Sequence, residues 1–252
     1  MTRWLAWATP LALLVAGTLQ AQPVQPSPDS RRSGFDFMSP ATQALQRDDT
    51  LNPAALWLKD GEQRFQADCT RCHTAASMRG VAPRYPAFDP ASQGALTLAG
   101  RINACRVRHA GQPALALESD GLLALEMFVA NASRGMPIAP PADARLAPLL
   151  ERGRQLYMQR LGQLDFSCAQ CHDQHAGGRL AGSLIPQAHP TGYPIYRLEW
   201  QGVGSLQRRL RNCMSGVRAE PWTYGAPEYT ALELYLMQRA AGMALETPGV
   251  RP

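Results

Sequence analysis

The chain has 252 residues, 45% of them hydrophobic, with 25 basic and 20 acidic side chains and a formal charge of +5. That length suffices for two small domains, and so slight a positive excess argues against nucleic acid as a partner. Lys59 is the only lysine, so almost all positive charge is carried by planar guanidinium forks, which suit oxyanions better than an ammonium does.

In chain order, Arg3 precedes an apolar stretch from Trp4 to Val15, and small and polar residues follow through Gln20-Ala21-Gln22. This is the layout of a secretory signal peptide, residues 1–21, with cleavage near Ala21. The apolar run is too short for a spanning helix and no second candidate follows, so no membrane span is expected. Ser30-Arg31-Arg32-Ser33-Gly34-Phe35 has the look of a twin-arginine signal but lies after the apolar core, and is discounted. An N-terminal extension is expected over residues 22–55.

The first chemical motif is Cys69-Thr70-Arg71-Cys72-His73, and it returns as Cys168-Ala169-Gln170-Cys171-His172. Each is the CxxCH attachment signal for a c-type haem: the two thiols add across the vinyl groups, and the adjacent histidine is placed to bind iron. A zinc ribbon would want its cysteine pairs without two matched histidines. Two covalent haems are therefore expected, held by Cys69, Cys72, Cys168 and Cys171, with His73 and His172 as iron ligands. Their four propionates would offset most of the positive charge. Covalent haem in turn places the mature protein in the periplasm.

Between and after the pentads the chain repeats itself. Ala124-Leu125-Glu126-Met127-Phe128 returns as Ala231-Leu232-Glu233-Leu234-Tyr235, and Gly135-Met136 as Gly242-Met243, at an offset of 107 residues. Arg101-Ile102-Asn103-Ala104-Cys105 matches Arg209-Leu210-Arg211-Asn212-Cys213 at an offset of 108, whereas the pentads stand 99 apart. Residues 121–133 and 228–240 carry apolar side chains at helical intervals. Pro137, Pro140, Pro141 and Pro148 punctuate the join. The expected architecture is mainly α: two tandem class I cytochrome c-like domains, residues 56–147 with the first haem and 148–252 with the second.

Two cysteines remain after four thioethers, Cys105 and Cys213, one per repeat. They could join as a disulfide, stand as buried thiols, or each supply the second axial ligand of its own haem. Methionine competes for that position. Met136 lies 63 residues after His73 in Arg134-Gly135-Met136-Pro137, and Met243 holds the same place in the second copy. The repeat duplicates both candidates and does not choose between them. A thioether raises the haem potential and suits an electron carrier, whereas a thiolate stabilises ferric iron and lowers it. His109, His175 and His189 are ligand candidates by type alone, and a surface or core place is expected for each.

The segment Arg208-Arg-Leu-Arg-Asn-Cys213-Met-Ser-Gly-Val-Arg-Ala-Glu-Pro221 resembles the A subunit of the Sox (sulfur-oxidation) cytochrome complex, the dihaem form of L-cysteine S-thiosulfotransferase. So do Ser33-Gly34-Phe35 through Gln43, Gly80 to Phe88, Ile185 to Pro194 and Leu245-Glu246-Thr247-Pro248, which together cover nearly all of the mature chain. The resemblance implies that the second haem is held by His172 and by Cys213, which carries an extra sulfur as a persulfide. It implies His73 and Cys105 for the first haem, whose pentad some relatives have lost. Arg209 matches the arginine taken to hold thiosulfate, and no departure occurs at these positions. The implied reaction joins thiosulfate to a cysteine thiol of a carrier, the Sox YZ complex. The two electrons released pass to a monohaem partner, the Sox X cytochrome. The residues agree with that chemistry, because Arg208, Arg209, Arg211 and Arg218 flank Cys213, and in a helix from Leu206 to Cys213 the arginine at 209 shares its face. The rival readings are a His/Met dihaem carrier with a Cys105–Cys213 disulfide and, less well supported, a dihaem peroxidase.

Overall fold

In the computed structural model, residues 30–180 and 182–252 are described together with Met1. Apart from Met1, the expected signal peptide and its cleavage point lie outside the described residues. Among the described residues no helix is long and apolar enough to cross a membrane.

Each repeat is built on two long helices that cross closely. In the first these are α2 (Ala55–Asp68) and α4 (Asp120–Asn131), numbered after the short α1 (Pro40–Arg47) and with α3 (Leu98–His109) between them. In the second they are α5 (Ala147–Met158) and α7 (Pro227–Arg239), with α6 (Leu206–Gly216) between them. Local chemistry sets the starts: Ser39, Thr97, Ser119 and Ser205 cap α1, α3, α4 and α6 by accepting a backbone N–H. Proline stands in the first turn of α5 and α7, where its missing N–H costs nothing. The apolar intervals of residues 121–133 and 228–240 become α4 and α7, whose leucines fill the core.

The crossings depend on a glycine in each repeat. A Cβ on Gly61 would strike the Ala124 carbonyl, and one on Gly153 would strike the equivalent Ala231 carbonyl. Beside these contacts Phe65 meets Phe128 with ring centroids 5.0 Å apart, and Tyr157 meets Tyr235 at 5.3 Å.

A short hairpin feeds each middle helix. Strands β1 (Ala87–Asp89) and β2 (Gly94–Leu96) lead into α3, and β5 (Ile195–Arg197) and β6 (Gly202–Gly204) lead into α6, both pairs antiparallel. The small hairpin of β3 (Arg179–Leu180) and β4 (Ser183–Leu184) lies between the second pentad and β5. At the C-terminus β7 (Gly249–Arg251) joins β5 in parallel, giving the order β6-β5-β7. The N-terminal segment is tied to this end of the chain: Gln46 of α1 accepts the Val250 N–H at 2.9 Å, and Asn52 donates to the Pro248 carbonyl at 3.0 Å.

The two repeats meet through the segments that carry their methionines. Gly135 donates to Leu245, Leu245 to Met136, Ile138 to Met243 and Gly242 to Ile138, all at 2.8–2.9 Å, with Pro137 opposite Ala244. Met243, Met237, Ala240 and Leu245 of the second repeat pack into one apolar cluster with Phe65, Leu125, Val129 and Ile138 of the first. The mainly α, duplicated architecture read from the sequence is the one observed.

Candidate active site

The second pentad follows α5, and residues 170–174 form a single π-helical turn that carries Cys171 and His172. His172 Nδ1 donates to the Pro186 carbonyl at 2.7 Å. Because a carbonyl only accepts, this bond fixes the tautomer and leaves Nε2 to face a ligand. Opposite it stands Cys213, three-quarters of the way along α6 and within hydrogen-bonding reach of the imidazole. Cys168 and Cys171 are close enough to interact electrostatically with the same sulfur. The helix start at Ser205 thus decides where Cys213 points, and the Pro186 carbonyl decides how the imidazole meets it.

The electrostatics of this sulfur are unusual. Burial pushes the Cys213 thiol up, but Arg209, the His172 hydrogen bond and charge, and Arg197 together bring it down to about 7. The thiolate, which is the nucleophile and the metal ligand, is therefore accessible near neutrality. Burial, aided by the Cys213 charge, raises Cys168 to about 12 and moves Cys171 the same way. Three thiols gathered around one imidazole are thus set apart by position alone.

His172, Cys213, Arg209 and Arg197 line a cavity of about 480 Å³. Its walls come from α6 (Arg209, Leu210, Cys213), from β5 (Ile195, Arg197) and from the N-terminal segment, where Phe37 and Met38 close one side. Among the four flanking arginines the structure discriminates sharply. Arg209 lines the cavity. Arg208 stacks on Trp200 at 4.5 Å, and Arg211 on Tyr224 at 4.6 Å. Arg218 is exposed beyond the end of the helix, in the left-handed region (φ 58°). Arg209 and Cys213 share the α6 face that spacing predicts, which is why only one of the cluster reaches the sulfur.

In the first repeat, Cys69, Cys72 and Cys105 are electrostatic neighbours, with burial and Asp68 raising the Cys69 thiol. His73 is exposed there. All six cysteines are free thiols, so Cys105 and Cys213 are not joined, and each sits beside its own pentad. Met136 and Met243 are held in the strand-like pairing between repeats, where their backbone groups bond to one another. His189 is buried, with Nδ1 donating to the Arg32 carbonyl at 2.8 Å, while His109 and His175 are exposed.

The donor set at Cys213 fits a c-type haem: two thiols at CxxC spacing, an imidazole whose second nitrogen is pinned by a carbonyl, and a sulfur facing it. Cys168 and Cys171 would form the thioethers, and His172 and Cys213 would hold the iron. Sequence reasoning overlooked Arg197. Its signal was available, because Tyr85-Pro86 and Tyr193-Pro194 stand at the same 108-residue offset as the cysteines, and that register aligns Asp89 with Arg197.

Known proteins share this fold. The family model for the SoxA/TsdA cytochrome c domain matches residues 53–138 and 152–245. The L-cysteine S-thiosulfotransferase subunit SoxA of Rhodovulum sulfidophilum is 31% identical over 255 residues, covering 95% of this chain and 89% of its own. That of Paracoccus pantotrophus is 32% identical over 231 residues, covering 88% and 80%. The crystal structure of SoxXA from P. pantotrophus superposes with a TM-score of 0.84 at 31% identity, over 88% of this chain and 87% of that one.

Proposed function

Because the chain belongs to the SoxA/TsdA cytochrome c family, we propose that it is the haem-bearing A subunit of an L-cysteine S-thiosulfotransferase. It acts in the periplasm after removal of residues 1–21, with one covalent haem c in each repeat. Its substrates are thiosulfate and a cysteine thiol of a YZ-type carrier protein, and a monohaem X-type cytochrome completes the heterodimer. The observation that carries this reading is the convergence of His172, Cys213 and Arg209 on one cavity.

The chemistry follows from these side chains. Arg209 grips the sulfonate oxygens by charge-assisted hydrogen bonds and aims the outer sulfur at Cys213. The Cys213 sulfur, as thiolate or persulfide, forms a sulfur–sulfur bond to it, and two electrons leave. The carrier thiolate then attacks the sulfur that bears the sulfonate, breaking its bond to the Cys213-side sulfur, which leaves as the regenerated thiolate or persulfide anion. The balance is RSH + thiosulfate dianion → RS–S–SO₃⁻ + H⁺ + two electrons. Bound haem supplies an electron acceptor and an iron bond that lowers the basicity of the sulfur.

The test is thiosulfate-dependent conjugation of a carrier cysteine, followed by mass spectrometry, with Arg209→Met alongside. Loss of one charged clamp is expected to raise the thiosulfate KM by roughly 10- to 100-fold with a smaller change in kcat. An unchanged dependence would remove Arg209 from the substrate site. In the first repeat, His73 and Cys105 are assigned to the first haem. Cys105→Ala should shift that haem's ferric spectrum and leave turnover near normal, and the reverse pattern would mean that the roles of the repeats are exchanged.

A further inference from the structure

The two repeats place opposite charges at the same point. In the first, Asp89 ends β1 and is almost fully buried, where it takes Arg101 at 2.9 Å and Arg108 at 2.9 Å. Arg101 is the counterpart of Arg209, so in this repeat the guanidinium that could meet an anion is already closed by a carboxylate. In the second repeat the residue that ends β5 is Arg197. A bridge of opposite charges has become a pair of like charges. Among the described residues no carboxylate bridges Arg209, whose principal electrostatic partner is Cys213.

Arg197 is held for a purpose that its own contacts do not exhaust. Its side chain is only 11% exposed. Nε donates to the Pro252 carbonyl at 2.7 Å, Nη2 pairs with Glu199 at 2.6 Å, and the plane lies over Trp200 at 5.0 Å. Nη1 is buried with no hydrogen-bond partner. A buried guanidinium nitrogen without a partner is costly, and this one belongs to a side chain lining the Cys213 cavity, near both Arg209 and Cys213. The other arginine of β5's sheet that borders the cavity, Arg251, is likewise paired with a carboxylate, Glu246 at 2.9 Å, but its Nη1 is already taken by the Val250 carbonyl at 2.7 Å.

We propose that Arg197 is a second substrate-binding residue, forming with Arg209 a two-arginine clamp for the sulfonate end of the sulfur donor. Its free Nη1 takes a sulfonate oxygen, and the clamp confines that activity to the second repeat, since Asp89 blocks it in the first. This assignment rests on the function proposed above. It also states the substrate class: a sulfur anion with a terminal sulfonate, since two forks from different elements match several oxygens on one tetrahedral head.

The experiment uses the haem-loaded protein with its partner cytochrome and compares Arg197→Gln, Arg197→Lys and Arg197→Asp. The Gln variant should raise the thiosulfate KM and the calorimetric Kd together by roughly 10- to 100-fold. Its kcat should stay within about threefold of the unaltered protein, with an unchanged ferric haem spectrum. Lysine keeps the charge without the fork, so its loss should be smaller. Aspartate recreates the first-repeat ion pair with Arg209, so its loss should be the largest. An unchanged KM, or a fall in kcat alone, overturns the clamp; if the Gln variant fails to load haem, the KM of the Lys variant decides in the same way. Absence of any conjugation by the unaltered protein would overturn the functional reading and the clamp with it, whereas normal conjugation with an unaffected KM overturns the clamp alone.

Discussion

Cys213→Ala is expected to lower thiosulfate conjugation to the uncatalysed background while both haems stay covalently attached. The reasoning separates two jobs of neighbouring thiols. Cys168 and Cys171 belong to the pentad and, on the proposed function, would make the thioether bonds, so covalent haem should survive the substitution. Cys213 stands on a different element, α6, and supplies the sulfur that Arg209, His172 and Arg197 bring toward ionisation. An alanine offers no nucleophile and no axial sulfur, so the second haem should also lose its thiolate character and its potential should rise. Haem staining, a redox titration and the conjugation assay check the three parts. Non-reducing mass analysis of the unaltered Cys213 peptide adds the direct sign of the carrier role, one extra sulfur. Full activity in the alanine variant would sink the mechanism.

The second large effect is expected far from the chemistry. Alanine is favoured over glycine in a helix interior by about 1 kcal/mol, so Gly153→Ala in the middle of α5 ought to stabilise the protein. The tertiary contact reverses the sign. The added methyl would strike the Ala231 carbonyl oxygen, and would lie 2.7 Å from its carbon and 2.8 Å from Tyr235 Cβ. A backbone carbonyl inside α7 does not move aside, so the helices must part and the Tyr157–Tyr235 contact loosens. A loss of roughly 3 kcal/mol or more is expected, above the usual range for overpacking because the obstacle is backbone. That is a large share of a typical domain's total stability. Denaturant midpoints of the haem-loaded protein measure it. Gly216→Ala is the control, since a methyl there meets nothing within 4 Å and should change little. Equal midpoints for the two variants would refute the close crossing.

Much of the site was legible along the chain because its elements are local. Thioether formation needs two thiols and a histidine within five residues, and a duplicated motif declares two such sites. Helical intervals over 121–133 and 228–240 identified α4 and α7 to within a residue or two. The four-residue step from Arg209 to Cys213 foretold a shared helix face, and α6 supplies it. Spacing alone left the competition between methionine and cysteine open, since Met136 and Met243 recur as regularly as Cys105 and Cys213. The fold draws both methionine segments into a backbone pairing between repeats and turns both cysteines toward their pentads.

The four clustered arginines show the same division. As a string they are equivalent. In the folded chain Trp200 and Tyr224 take Arg208 and Arg211, and the cavity keeps Arg209. Arg197, twelve residues upstream, reaches the same cavity because a hairpin brings β5 alongside the start of α6. The sequence by itself displayed the two CxxCH pentads and the helical faces, which depend on residues within a few positions of one another, and the duplication, which shows as matched strings about 108 residues apart. Only the tertiary structure decided which duplicated sulfur faces the imidazole and which guanidiniums face that sulfur, because charge and burial act through space between residues that the chain keeps far apart.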